Sequence, residues 1–510
     1  MRPHSRPRAV ALLAMLGVAS LSSIAAIPAV AAIPAAQATT ALDSYYSQSL
    51  QWSSCADRHE CSSLLVPIDY ASPSSGDFRL ALTRVKAKGT KVGSIVVNPG
   101  GPGAAGTSFV EYAQSSVSDE VAKIYDVVGF DPRGVGKSAP VTCLTGKQTT
   151  QWIRADATPD TPSEIATYSS LAAGIGRGCL AMTPVRARNV GSVATAHDMD
   201  ILRAALGEKK LNYLGYSYGT YLGALYAHDF PATVGRFVLD GAVDPSLDSM
   251  QISEGQSRAF QVAMSRFARS CSHLSSCPYS GGASKVLAGI NSLLARLDQH
   301  PMRTDKLETL TQSQALGALF WGMYSPDYWP NLRDALSEAK RGNGTYLLML
   351  ADLGSDRTGP NTYGSNQNSA FYAISCWDSP AAPDSAGLAS AASTWSTKAP
   401  VPEMAKALAW GNAPCSTWFG HSDLAPAPTS STTVAPILVV GTTYDPATPY
   451  PWAVALTEQL STARLLTYVG DGHTAFGNGN PCIDSAVNDY FAKGSVPPRG
   501  LRCSSRFSGS

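Results

Sequence analysis

The pentapeptide Gly215-Tyr-Ser217-Tyr-Gly219 constrains this chain more than any other feature, because of where it stands. It follows the apolar, β-rich run Leu211–Leu214 directly and precedes a helical pattern that begins near Thr220. A serine on such a strand-to-helix turn takes a strained backbone conformation, and the flanking glycines leave room where a Cβ would strike the neighbouring helix or strand. The motif arises by chance in a chain with 44 glycines, so its placement is what gives it weight.

The surrounding pattern predicts an α/β fold, the α/β-hydrolase fold, with a mostly parallel central sheet flanked by helices. Strands are expected at Gly93–Asn98, Tyr125–Phe130, Leu211–Gly215 and Arg236–Asp240, and then, after a long gap, at Pro436–Gly441 and Arg464–Val469. The gap carries helical periodicity in Ser257–Ser270, Ser284–Leu297 and Gln312–Met323, and reads as a large helical cap insertion. It ends in Leu424–Thr433, which has linker composition. The 510 residues divide accordingly into a leader over 1–38, an N-terminal part of the core over 39–245, the cap over 246–433 and a C-terminal part of the core over 434–510.

Arg2, Arg6 and Arg8 precede an apolar stretch, Ala9 to Ala32, and an Ala-Gln-Ala sequence ending at Ala38. This is the plan of a secretory signal peptide cleaved after Ala38, or alternatively after Ala31. A retained membrane anchor is the competing reading, weakened by Pro28 and Pro34 within the apolar run. The ten cysteines all follow this segment, as befits an oxidising, extracellular destination. They fall into neighbouring pairs, Cys55 with Cys61, Cys143 with Cys179, Cys271 with Cys277, Cys376 with Cys415 and Cys482 with Cys503, and disulfides are expected between those neighbours. None has the spacing of a zinc site, so no metal is expected. A net charge of +1 without a basic run gives no reason to expect nucleic acid or a membrane surface as partner, and a monomer is expected.

A serine hydroxyl needs a base, and the base needs a third group to hold it. Asp445 follows one expected strand and His473 the next, giving the chain order Ser, Asp, His. Ser217, Asp445 and His473 are therefore the candidate catalytic triad. Asp240, at the end of the strand after the serine, and Asp471, two residues before His473, compete for the acid's role. For the oxyanion hole, Tyr218 offers the amide after the serine, and the loop Asn98-Pro-Gly-Gly-Pro-Gly103 offers Gly101, with Gly100 as second choice. The same loop continues into a G-x-G-x-x-G pattern, with Asp126 or Asp131 as formal ribose acids, but a dinucleotide site would leave the triad unexplained. No cofactor is expected.

With those residues assembled, the sequence resembles the secreted bacterial tripeptidyl aminopeptidases, serine peptidases related to the prolyl aminopeptidases. The resemblance is carried by Asn98–Gly103, by Gly129-Phe-Asp-Pro-Arg-Gly-Val-Gly-Lys-Ser138, by the Gly215–Gly219 turn, by Tyr444-Asp-Pro446 with Thr448-Pro449, and by Gly470-Asp-Gly-His473. Ala373-Ile-Ser-Cys-Trp-Asp378 is similar to a cap segment of these enzymes, while Asn98-Pro99 stands where prolyl aminopeptidases carry a histidine. The resemblance implies release of tripeptides from free N-termini of peptides or proteins through an acyl-enzyme. That activity requires a group to hold the substrate ammonium, and Asp378 and Glu254 are the candidates; Trp321, Trp329 and Trp377 are candidates for the cleft wall, and Thr448 for orienting Asp445. A carboxylesterase using the same triad and a non-catalytic binding protein of this fold are the alternatives.

Overall fold

The computed structural model describes residues 42–422, 427–431 and 435–504. The leader over 1–38 and part of the Leu424–Thr433 linker lie outside them. Twelve strands are described: β1 (Ser53–Ala56), β2 (His59–Pro67), β3 (Asp77–Val85), β4 (Gly93–Asn98), β5 (Tyr125–Phe130), β6 (Leu211–Tyr216), β7 (Val234–Asp240), β8 (Arg357–Gly359), β9 (Thr362–Tyr363), β10 (Ile437–Tyr444), β11 (Arg464–Asp471) and β12 (Arg502–Ser504). Ten of them form one sheet in the order β1-β2-β3-β5-β4-β6-β7-β10-β11-β12. Pairing is antiparallel from β1 as far as the β3–β5 contact and parallel from there on. The run from β2 to β11, with β3 antiparallel and β5 and β4 exchanged, is the α/β-hydrolase arrangement.

Sequence dictates this sheet through strands buried on both faces. Every residue of β4 and β5 is buried, as helices covering a parallel sheet on two sides require. Alternate side chains feed two cores. Val96, Tyr213, Phe237 and Val439 pack with helices Ser192–Ala205 and Tyr218–Asp229, while Ile95, Val97, Val238 and Val440 pack with helices Gly106–Ser116 and Pro481–Lys493. The chain winds from β4 to β5 on one side and from β6 to β7 on the other. The carboxyl ends of β4 and β6 therefore bound a crevice at a topological switch point, where this architecture places its ligands.

The stretch between β7 and β10 is helical, as periodicity predicts, but it also holds the small β8–β9 hairpin, which periodicity does not reveal. Its core is divided. Helices Ser249–Ser272, Ala283–Gln299, Gln312–Met323, Trp329–Lys340 and Thr345–Gly354 bury Phe267, Ile290, Leu316, Leu336 and Leu348 together. Helices Gln367–Trp377 and Ser385–Ser396 instead share a core with Trp152, Tyr168 and Ile175, which precede the Gly215–Gly219 turn. The ten cysteines form five disulfides, Cys55–Cys61, Cys143–Cys179, Cys271–Cys277, Cys376–Cys415 and Cys482–Cys503. Among the described residues, no helix is long and apolar enough to cross a membrane.

Candidate active site

Ser217 stands between β6 and helix Tyr218–Asp229 with φ 54° and ψ −125°, a conformation that L-residues reach only under constraint. The constraint is visible in the glycines. A Cβ on Gly215 would lie 2.5 Å from the Gly219 carbonyl oxygen, and one on Gly219 would lie 2.8 Å from Asn98 Oδ1. The Ser217 amide donates to the Asp240 carbonyl at 2.9 Å, which ties the turn to the end of β7. Ser217 Oγ makes no hydrogen bond to any described residue and faces a cavity of about 430 Å³.

Asp445 and His473 meet at this sheet edge, on the loops that follow β10 and β11. His473 Nδ1 lies 2.9 and 3.0 Å from the two Asp445 oxygens. Asp445, 2% exposed, also accepts the amides of Ala447 and Thr448 at 2.9 and 2.8 Å and the Thr448 hydroxyl at 3.0 Å. The imidazole is closely packed. Its Cε1 would lie 3.1 Å from a Cβ on Gly241, one residue beyond Asp240, and the Tyr324 ring packs edge-on against it at 5.3 Å. The His473 amide donates to the Tyr324 carbonyl at 2.8 Å, so the helical insertion supports this loop directly. Burial pulls the His473 pKa down, but the charge and hydrogen bond of Asp445 and the charge of Asp240 outweigh it, and the net shift is upward.

Neither rival acid bonds the His473 ring. Asp240 accepts the amides of Ala475 and Phe476, and Asp471 forms a two-pronged pair with Arg266. The two formal ribose acids are likewise committed: Asp126 to the Ala87 amide and to Arg84 and Lys91, Asp131 to the amides of Thr107 and Lys137.

The loop after β4 packs on the serine turn so closely that a Cβ on Gly100 would lie 2.9 Å from both Ser217 Cβ and the Tyr218 nitrogen. Gly100 has φ +94°, which also favours glycine. The Gly100 amide donates to Asn98 Oδ1 at 2.9 Å, which removes it as a donor to substrate. The Gly101 amide has no acceptor among the described residues, and the Tyr218 amide, first in its helix, has none within it.

Asp378 lines the cavity that Ser217 faces. Its oxygens accept the Ser192 amide at 3.0 Å and the Ser192 hydroxyl at 2.5 Å, and that hydroxyl is in turn hydrogen-bonded to the Tyr218 phenol. Burial, partly offset by the Ser192 bonds, raises its carboxyl to about 6. Among the described residues no lysine, arginine or histidine lines the cavity, whose walls include Phe260, Phe320, Phe371 and Trp452. Glu254 is not brought here. It pairs with Arg258 one helical turn along, and the cavity is lined by its neighbours Ser253 and Gln256 instead. The tryptophans also need correcting. Trp321 stacks on Tyr328, Trp329 packs on Phe267 and Trp377 abuts Gly191, while Trp452, which the sequence did not single out, is in the wall. Its signal was available, seven residues after Asp445 at the start of a helix that must flank the site.

Residues 399–503 match the model of a family described as TAP-like protein. Over 89% of its length the chain is 35% identical to serine protease Hip1 of Mycobacterium tuberculosis, of which it covers 91%. It is 34% identical to carboxylesterase B of the same organism, with 89% of each chain covered. The tripeptidyl aminopeptidase of Streptomyces coelicolor is 31% identical, covering 89% of this chain and 86% of that protein. The chain belongs to the TAP-like family. Its members here are named as hydrolases of peptides and of esters, and this TAP-like chain is a serine hydrolase. The matched region begins before helix Pro402–Trp410 and takes in both Asp445 and His473.

Proposed function

We propose that this chain is a secreted aminopeptidase that releases tripeptides from free N-termini through an acyl-enzyme on Ser217. The observation that carries the reading is Asp378, a carboxylate without a basic partner among the described residues, in the wall of the cavity that Ser217 faces. An ionised carboxylate has about four acceptor sites, and Ser192 does not fill them, so capacity remains for a substrate ammonium. The aromatic walls suit apolar side chains between that ammonium and the scissile carbonyl.

In this mechanism His473 takes the Ser217 proton as Ser217 attacks the carbonyl carbon, and Asp445 fixes the tautomer and stabilises the imidazolium. The Gly101 and Tyr218 amides receive the oxyanion, an interaction worth on the order of 10²–10³ in rate per donor. His473 then returns the proton to the leaving amine, and water, activated the same way, releases the tripeptide. Five disulfides and the leader support export.

The test is mass spectrometry of the products from an unblocked peptide of about ten residues and from its N-acetylated twin, with wild type and Asp378→Asn. Successive loss of tripeptides from the free peptide alone, weakened in the variant mainly through KM, supports the assignment. Equal cleavage of both peptides would remove the ammonium site. The relative named carboxylesterase B favours a second reading, acyl-ester hydrolysis at the same serine, which turnover of short acyl esters without any peptide cleavage would establish.

A further inference from the structure

Asp240 is fully buried at the end of β7 and takes no part in the hydrogen bond between His473 and Asp445. It nevertheless touches both halves of the centre. Its main-chain carbonyl accepts the Ser217 amide at 2.9 Å. Its carboxylate accepts the Ala475 amide at 2.9 and 3.1 Å from its two oxygens and the Phe476 amide at 2.7 Å. Those amides lie two and three residues beyond His473, and Gly241, which follows Asp240, lies against the imidazole. A buried carboxylate with no lysine or arginine partner is costly, and a loop can be closed more cheaply by neutral groups.

We propose that Asp240 is a positioning residue of the catalytic centre, tying the Ser217 turn and the His473 loop to one strand end so that nucleophile and base keep their separation. This rests on the triad reading above. The charge of Asp240 has a second effect. His473 and Asp445 face it from their loops, Tyr216 from the end of β6 and Tyr112 from helix Gly106–Ser116, and both tyrosines also feel the charge of Asp484. Burial raises the Asp240 carboxyl to about 7, against the lowering influence of the two amides and of His473. Its negative charge in turn raises the pKa of His473. Above about pH 7, where Asp240 is ionised, two carboxylates share the stabilisation of the imidazolium that forms when His473 takes the serine proton.

Asp240→Asn keeps the main-chain carbonyl and one side-chain acceptor, removes the charge and sets an NH₂ group against an amide N–H. Three quantities decide: kcat and KM on an unblocked tripeptide anilide, the acid limb of kcat/KM, and the rate at which a fluorophosphonate modifies Ser217. We expect kcat and the modification rate to fall at least about tenfold with KM within about twofold, the pattern of an interaction that matters in the transition state. The acid limb should move modestly to lower pH, because the imidazole loses the charge that the carboxyl carries while it is ionised, above about pH 7. Unchanged kcat and an unmoved limb would overturn the proposal, as would a lowered melting temperature with the limb in place, since that is a purely structural role.

Should Asp240→Asn not fold, the wild type answers instead. With Ala and Phe selectively ¹⁵N-labelled, the Ala475 and Phe476 amides should be protected from hydrogen exchange, and exchange as fast as in exposed loops would refute the clamp. Ser217→Ala separates the two readings. Hydrolysis that survives it sinks the triad itself, whereas hydrolysis abolished by it but indifferent to Asp240→Asn sinks the positioning role alone.

Discussion

Asp445 gives His473 a fixed acceptor because its own orientation is over-determined by Ala447, Thr448 and the Thr448 hydroxyl. Asp445→Asn keeps the shape and removes the charge, so kcat should fall by about 10⁴ while the melting temperature hardly changes, as measured by steady-state kinetics beside thermal unfolding. At Asp378 the sign runs the other way for stability. Its folded pKa of about 6 lies above the usual 3.8, so the stability it contributes is full in acid and is lost as pH rises through about 6. Asp378→Asn should therefore unfold at higher temperature than wild type at neutral pH, lose that advantage below about pH 4, and bind free peptides more weakly; thermal melts across pH check it. At this scale the sequence was informative about placement: Asp445 directly after β10 and His473 two residues after β11 are brought into hydrogen-bond contact by adjacent strand ends. It was silent where a helix face decides. Glu254 and Gln256 are two residues apart, yet only Gln256 reaches the cavity.

Among elements, the turn after β5 is anchored by Arg133, which is fully buried. Its guanidinium bonds both Asp198 oxygens, at 2.6 and 2.8 Å, and the carbonyls of Pro67, Ile68 and Asn189, so one side chain joins β2, the turn and helix Ser192–Ala205. Lysine has neither the fork nor the donors to replace it. Arg133→Lys should cost about 1–3 kcal/mol, read from denaturant unfolding, because the charge is kept but the buried Asp198 and the carbonyls of Pro67, Ile68 and Asn189 are left with too few donors. Helix Ser192–Ala205 presents Ser192 to Asp378, so the same variant should also weaken peptide binding. Strands buried on both faces were readable from their apolar runs, and β4 and β5 have the bounds that the sequence suggests. β1, β2 and β3 were not, since β1 is exposed throughout and β2 and β3 are of mixed burial and so carry no comparable apolar run, and β10 continues through Thr442–Tyr444 because its pairing with β11 persists beyond the apolar stretch.

Over the whole molecule, the crevice at the ends of β4 and β6 is roofed by helices that are themselves cross-linked. Cys376–Cys415 closes a separation of 39 residues and Cys143–Cys179 one of 36, and loops of that size are worth about 4 kcal/mol each in the chain-entropy account. Reductant under mild denaturant should therefore abolish activity together with the near-UV dichroism of the aromatic cavity wall, and reoxidation should restore both. That the insertion splits between two cores was not legible in the sequence. Its helices all show the same periodicity, and only the tertiary contacts of Trp152 and Tyr168 decide which of them join the earlier part of the chain. The central claim, Ser217-dependent release of tripeptides from free N-termini, is tested most directly by one assay. A chromogenic tripeptide with a free amine and its N-blocked twin are offered to wild type and to Ser217→Ala. The account predicts rapid cleavage of the free substrate alone and a loss on the order of 10⁶-fold in the variant. Equal cleavage of both substrates, or cleavage that survives the loss of Ser217, would contradict it.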